Sequence, residues 1–152
     1  MVEIRLEIFV SMSLKVRNCR SITFKGHCDV RGWLYAFEEL KNVPFKIKRV
    51  YTISNIAHGA TRGEHAHFHL EQLIICISGH CNFLLDDGKN KEVVVLNTPK
   101  IGLYVGTYIW HKMFDFSQDC ILLALASDFY DVDDYIHNYG RFLEIVKNDP
   151  LL

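Results

Sequence analysis

Short segments that alternate apolar and polar residues follow one another along this chain, each closed by a turn signal. That pattern admits few folds. Val2, Ile4, Leu6, Ile8 and Val10 stand at period two, the spacing at which one face of an extended strand shows every second side chain. A turn-rich stretch from Gly26 to Gly32 leads to a short strand at Trp33-Leu34-Tyr35-Ala36-Phe37, and Asn42-Val43-Pro44-Phe45 forms a loop. Lys46 to Ile53 alternates again, His58 to Glu64 reads as a loop, and residues 65–78 form one or two strands closed by Ser78-Gly79. Asp86-Asp87-Gly88 is a hairpin signal between strands at 80–85 and 92–96. Further strands are predicted at 101–105, 112–116 and 121–126. Only the tail changes period: Val132, Tyr135, Ile136, Tyr139, Phe142, Leu143 and Val146 recur at helical spacing. This predicts one helix over 131–147, packed on an all-β sandwich or barrel. The length of 152 residues, without linker or repeat, fits a single domain over 1–152, with 1–25 as its N-terminal strands.

Composition narrows the function. The formal net charge is −1, so no basic excess exists to neutralise phosphates along a nucleic acid. Five cysteines, an odd number with no CxxC pair, argue against a disulfide framework or zinc knuckle and for reduced thiols in the cytoplasm. Glu3, Arg5 and Glu7 interrupt any signal-peptide core, and no run approaches a membrane span. A cytoplasmic protein with neither nucleic-acid nor membrane partners is expected.

The chemistry concentrates in one strand. His65 and His67, at i and i+2, point to one side of it, into the barrel, with Arg62 entering from the preceding loop. Gly59, five residues, His65-Ala66-His67, three residues and Glu71 resemble the first motif of the cupin barrels, and Gly79 stands close to its closing glycine. Gly106-Thr107-Tyr108-Ile109-Trp110-His111 resembles the second motif, with His111 in place of its histidine. The fit to a metal-binding cupin is incomplete. Counted back from Gly79, the glutamate slot holds Gln72, and Tyr108 stands where a glycine belongs. A divalent metal wants well-placed anionic and nitrogen ligands, so no metal is expected.

A wider resemblance covers about residues 29–143. Asp29-Val30-Arg31-Gly32, Asn42-Val43-Pro44-Phe45, Lys48-Arg49-Val50-Tyr51 and Arg62-Gly63-Glu64-His65-Ala66-His67 with Leu70-Glu71-Gln72 are similar to the nucleotide-sugar 3,4-ketoisomerases. Leu85-Asp86-Asp87-Gly88, Gly102-Leu103-Tyr104-Val105-Gly106, Trp110-His111, Leu125-Ala126-Ser127-Asp128 and Tyr130 to Ile136 continue the likeness. The resemblance implies a small jelly-roll enzyme that moves the ketone of a thymidine-diphosphate-linked 4-keto-6-deoxyglucose from carbon 4 to carbon 3. It implies no metal, no nicotinamide and no other cofactor. The product would feed deoxyaminosugars of surface glycans such as the lipopolysaccharide O-antigen.

For that reaction a base near neutral pKa must take the proton beside the ketone, and His65 and His67 are assigned this work as a pair. Donors must meet the enediolate oxygen; Tyr51, Tyr104 and His111 are the candidates. Arg62 is the first candidate for the diphosphate and Arg49 the second. Trp110 either stacks on the thymine base or fills the barrel. Glu71 either orients a histidine or holds a metal, and Asp133 or Asp134 starts the C-terminal helix. Competing readings are a cupin 3,5-epimerase, a metal-dependent cupin dioxygenase or isomerase, and a sugar sensor without activity. The open edge of the Val2–Val10 strand predicts a homodimer, with exchange of N-terminal strands as one way to form it.

Overall fold

The computed structural model describes residues 11–149; the alternation from Val2 to Val10 lies outside them. The described chain forms β1 (Ser11–Ser13), β2 (Cys19–Thr23), β3 (His27–Asp29), β4 (Gly32–Leu34), β5 (Arg49–Ile53), β6 (Arg62–His67) and β7 (Gln72–Ser78). There follow β8 (Cys81–Asp86), β9 (Lys91–Leu96), β10 (Ile101–Val105), β11 (Trp110–Phe114) and β12 (Ile121–Ala126). A 3₁₀ turn (Val132–Asp134), β13 (Tyr135–Ile136) and the helix α1 (Tyr139–Asn148) complete it. One sheet has the order β1-β2-β10-β7-β12-β5 and the other β13-β6-β11-β8-β9, with β3-β4 as a separate hairpin.

The two sheets face each other as a jelly-roll barrel, and strand parity decides which residues close it. Ile74 and Cys76 of β7, Leu103 and Val105 of β10, Phe83 and Leu85 of β8, and Leu122 and Ala124 of β12 share the interior core. Their sequence neighbours point outward. Leu73, Ile75, Tyr104 and Leu125 make a second cluster on the outer face of the larger sheet, beneath Val43, Phe45 and Phe37. On the other side Phe142 and Val146 of α1 cover Ala66 and Ile136. Fully burying such side chains stabilises by about 1.5–3 kcal/mol each.

The hairpin predicted at Asp86-Asp87-Gly88 joins β8 to β9. Asp87 caps it by accepting from the Lys89 and Asn90 amides, and Gly88 takes the left-handed φ of +87° that the turn requires.

Three expectations need correction. The helix does not begin at 131 but at Tyr139, capped by Asn138, which accepts from the Arg141 amide at 2.8 Å. Residues 132–136 share its helical spacing, yet Tyr135 and Ile136 pair with His67 and Ala66 of β6. The open edge of that strand captures them. The strand expected at 33–37 ends at Leu34, because Tyr35 and Phe37 turn onto the second cluster. Arg62 lies on β6 itself and not in a preceding loop.

Candidate active site

β6 enters the site with a parity problem. In a regular strand Arg62 and His65 would point to opposite faces. A bulge at Gly63-Glu64 removes the conflict: Met113 pairs with Arg62, Lys112 with Gly63 and His111 with His65. Gly63 has φ +87° and Glu64 φ +63°. A Cβ on Gly63 would stand 2.8 Å from the His111 carbonyl oxygen, so the close approach of β11 requires glycine here. Arg62, His65 and His67 all reach the cavity as a result.

That cavity has a volume of about 440 Å³, and its lining includes Arg49, Tyr51, Arg62, His65, His67, Gln72, His111 and Tyr135. It lies between β5 and β6 and so opens at one end of the barrel.

His65 packs edge to face on two other histidine rings, which lie nearly parallel to each other. His65 lies 4.9 Å from His67 and 4.6 Å from His111, centroid to centroid. Tyr135 closes the group at 4.8 Å from His65 and 4.4 Å from His67, with His137 stacked behind it. His67 is buried, and its Nδ1 lies 3.1 Å from Asp134 Oδ2. The carboxylate also accepts the backbone amides of His69 at 2.7 Å and Leu70 at 3.2 Å. Asp134 is thus held in place, so it fixes the ring of His67. The hydrogen bond needs the proton on Nδ1, which leaves Nε2 of the neutral ring as a base. His111 is fixed similarly, donating from Nδ1 to the Ile109 carbonyl at 3.2 Å.

Electrostatics keep these rings neutral. Burial pushes His67 well below the ordinary imidazole range, aided by His65, Arg49 and His137. The Asp134 carboxylate works against that shift by favouring the protonated ring. Burial also lowers His111, followed by the charges of His65 and His67. His65 is lowered by burial and His137, while the Gly63 backbone opposes this. Burial pushes the Tyr51 hydroxyl up to about 12, so it remains a donor; it donates to Gln72 Oε1 at 2.9 Å. Arg49 lies 5.1 Å over the Tyr51 ring. Its Nε is buried with no hydrogen-bond partner, the one such side-chain atom among the described residues. A donor left this way costs about 1–3 kcal/mol until an acceptor arrives.

The ligand nitrogens of His65, His67 and His111 lie within 4.8 Å of one another, close enough to offer three nitrogens to a metal ion. The carboxylate of a metal-binding cupin is not among them. Gln72 faces the cavity instead, while Glu71 is turned to the outer face and accepts a short hydrogen bond from Tyr104.

Of the residues singled out in the sequence, Arg49, Tyr51, Arg62, His65, His67 and His111 meet in one cavity. Tyr104 and Trp110 do not. On β10, Leu103 and Val105 take the interior, which turns Tyr104 outward against Phe45. On β11, His111 and Met113 take the interior, and Trp110 packs on Tyr139 and Phe142 of α1. Glu71 orients no histidine. The residue that does is Asp134, which the helical spacing around it had concealed. Tyr135 and His137 were hidden in the same way.

An antiparallel jelly-roll barrel with histidines and arginines converging at its open end is a cupin-type barrel. NovW of Streptomyces spheroides, a 4-keto-6-deoxy sugar epimerase, shares this fold at 17% identity and a TM-score of 0.72, over 84% of this chain and 72% of its own. The chain belongs to the FdtA family, described as WxcM-like, C-terminal, which matches residues 17–147. It is 49% identical over 125 residues to the TDP-4-oxo-6-deoxy-alpha-D-glucose-3,4-oxoisomerase of Aneurinibacillus thermoaerophilus, covering 82% of this chain and 90% of that protein. The TDP-quinovose 3,4-ketoisomerase WlaRB of Campylobacter jejuni has a TM-score of 0.82 and 49% identity, over 85% of this chain and 99% of its own. A variant of the 3,4-ketoisomerase QdtA of Thermoanaerobacterium thermosaccharolyticum, solved with TDP-4-keto-6-deoxyglucose, has a TM-score of 0.87 and 39% identity, over 90% and 99% of the two chains.

Proposed function

We propose that this protein is a 3,4-ketoisomerase of TDP-4-keto-6-deoxyglucose that works by histidine acid–base chemistry. The observation that carries the mechanism is the contact of buried His67 with Asp134 at 3.1 Å, inside a cavity shared with His65. His67 Nε2 takes the proton from carbon 3. The Asp134 carboxylate stabilises the imidazolium as it forms, the role of a buried carboxylate behind any histidine base. The resulting enediolate is protonated at carbon 4, while the proton of the carbon-3 hydroxyl passes through His65 to the oxygen on carbon 4. One C–H bond breaks and one forms, the ketone moves to carbon 3, and no electrons leave the sugar.

Tyr51 exchanges its hydrogen bond to Gln72 for one donated toward an enediolate oxygen, where a fixed donor in a dry site stabilises developing charge most, while His111, its proton on Nδ1 toward Ile109, offers Nε2 as an acceptor for a substrate hydroxyl. Arg49 and Arg62 hold the diphosphate; the unpartnered Nε of Arg49 supports its share. Reduced thiols at all five cysteines support a cytoplasmic location. Among the described residues no helix is long and apolar enough to cross a membrane. The exposed Val30, Trp33 and Leu34 on and beside the β3–β4 hairpin support a homodimer. A ketone at carbon 3 is the group an aminotransferase condenses with, which supports supply of aminosugars to a surface glycan.

The test is incubation of the purified protein with TDP-4-keto-6-deoxyglucose, with the product followed by proton NMR. Formation of the 3-keto isomer is expected, and its absence with a folded protein that binds TDP would overturn the reading. The three clustered histidine nitrogens favour one second reading, metal-assisted transfer. Stoichiometric metal in active protein, lost together with activity on chelation, would establish it.

A further inference from the structure

Gln72 lines the cavity but carries none of the protons that move in the reaction. It is 4% exposed, and its neighbours across the sheet, Val105 and Ala126, offer it no polar side chain. Burying an amide is costly unless it is hydrogen-bonded, and the bond it makes is to a working residue. Its Oε1 accepts from the Tyr51 hydroxyl at 2.9 Å. The adjacent Glu71 has the charge that Gln72 lacks, but it is turned to the outer face, where Tyr104 donates to it. Strand parity thus brings a neutral acceptor to the cavity and keeps a charged one out of it.

That neutrality has two consequences. His65, His67 and His111 offer nitrogens within 4.8 Å of one another, but neutral nitrogens bring no charge to balance a buried dication. The carboxylate behind them, Asp134, is occupied by His67 Nδ1 and by the amides of His69 and Leu70. A carboxylate at position 72 would complete the set for an ion such as Mn²⁺, which binds most weakly of the divalent first-row ions and prefers oxygen ligands. A carboxylate would also accept from Tyr51 through a charge-assisted bond, roughly twice as strong as a neutral one. Tyr51 would then stay on residue 72 instead of moving to the substrate, and the added negative charge would oppose the one that develops on the enediolate.

We propose that Gln72 commits this barrel to enolisation without a metal. It is a positioning residue that holds Tyr51 by a bond weak enough to exchange, and its missing charge leaves the three histidine nitrogens free for the substrate. The inference rests on the ketoisomerase reading.

The test compares the wild-type chain with Gln72→Glu and with the neutral Gln72→Met, each stripped of metal with a chelator. Titration with Mn²⁺, followed by the electron paramagnetic resonance of the free ion, reads metal binding, and steady-state kinetics on TDP-4-keto-6-deoxyglucose without metal reads turnover. The glutamate variant is expected to bind one Mn²⁺ per chain at least about 10- to 100-fold more tightly than wild type, the range for groups that only support a metal ligand. Adding His67→Asn to it abolishes that gain, which places the ion on the histidines. Without metal its kcat falls about 10²- to 10³-fold, the cost of one donor lost to the developing charge. The methionine variant gains no Mn²⁺ binding and loses less kcat, because Tyr51 stays free to reach the substrate. A wild-type chain that binds Mn²⁺ as tightly as the glutamate variant, a glutamate variant with wild-type kcat, or a methionine variant as slow as the glutamate one would overturn the assignment while leaving the ketoisomerase reading intact. A folded wild-type chain that forms no 3-keto sugar would remove both.

Discussion

The two ends of β7 face the same barrel interior with opposite chemistry. At one end Gln72 looks into the open cavity with the histidines and arginines. Midway Ile74 belongs to the core, and at the other end Cys76 meets Cys81 and Cys120 in a closed, apolar floor with Leu96 and Leu122. Cys120 contacts both other thiols. Burial acts on both ends in the same sense, against charge. It pushes the Cys76 thiol up to about 12, and it pushes His67 and His111 down. A thiol that cannot ionise is inert, whereas an imidazole that stays neutral is a competent base. What distinguishes the ends is therefore not burial but the partners that burial leaves: Asp134 behind His67 and an unsatisfied Arg49 at the open end, and at the floor thiols, apolar side chains and the Ser78 and Gly79 carbonyls that accept from Cys76.

The largest expected effect breaks the open end. His67→Asn removes the base and should lower kcat by about 10²- to 10⁴-fold while TDP binding persists; turnover at the wild-type rate would refute the role. Asp134→Asn comes next. It keeps the shape but not the charge, and a fall in kcat of about 10- to 100-fold is expected. A KM change without a kcat change would show that Asp134 only supports the backbone of His69 and Leu70.

Acid should act on stability through the same histidines. Their native pKa values are depressed, so below the ordinary value of 6.5 the unfolded chain binds protons that the native chain refuses. The stability they contribute is complete above that value and is lost as pH falls, by about 1.4 kcal/mol for each unit of depression. Melting temperature should fall from pH 7 to pH 5, and less steeply in His67→Asn. A flat profile in wild type would contradict the burial argument.

At the floor, Cys81→Ser places a hydroxyl in an apolar site and should cost about 1–3 kcal/mol of stability. Its kcat should stay within about twofold of wild type, since no reacting group is touched. The smallest effect is expected for Tyr104→Phe, which loses one hydrogen bond to Glu71 on the outer face, about 1 kcal/mol, and leaves turnover intact. A large loss of kcat there would return Tyr104 to the site.

Most of the barrel was legible because strand alternation and turn chemistry are local. The Asp86-Asp87-Gly88 hairpin and the shared face of His65 and His67 need only period two and a turn residue. Arg62 was found through its likeness to a motif; its true direction depends on the Gly63-Glu64 bulge, which no periodicity reveals. Tyr104 and Trp110 were misplaced because the inward face of each strand is set by its neighbours, Leu103 and Val105 in one case and His111 and Met113 in the other. Asp134 was missed because its role arises from the pairing of β13 with β6, 67 residues apart in sequence from its histidine. Helical spacing around it gave a plausible local answer that a tertiary contact overrode.

The most direct measurement of the central claim is the isotope at carbon 4 of the product. With the reaction run in deuterated water, a histidine that carries the proton exchanges it with solvent. Deuterium at carbon 4 is expected, together with loss of product formation in His67→Asn. Unaltered turnover in that variant, or movement of the carbon-3 hydrogen intact to carbon 4 that persists in it, would contradict proton transfer through His67.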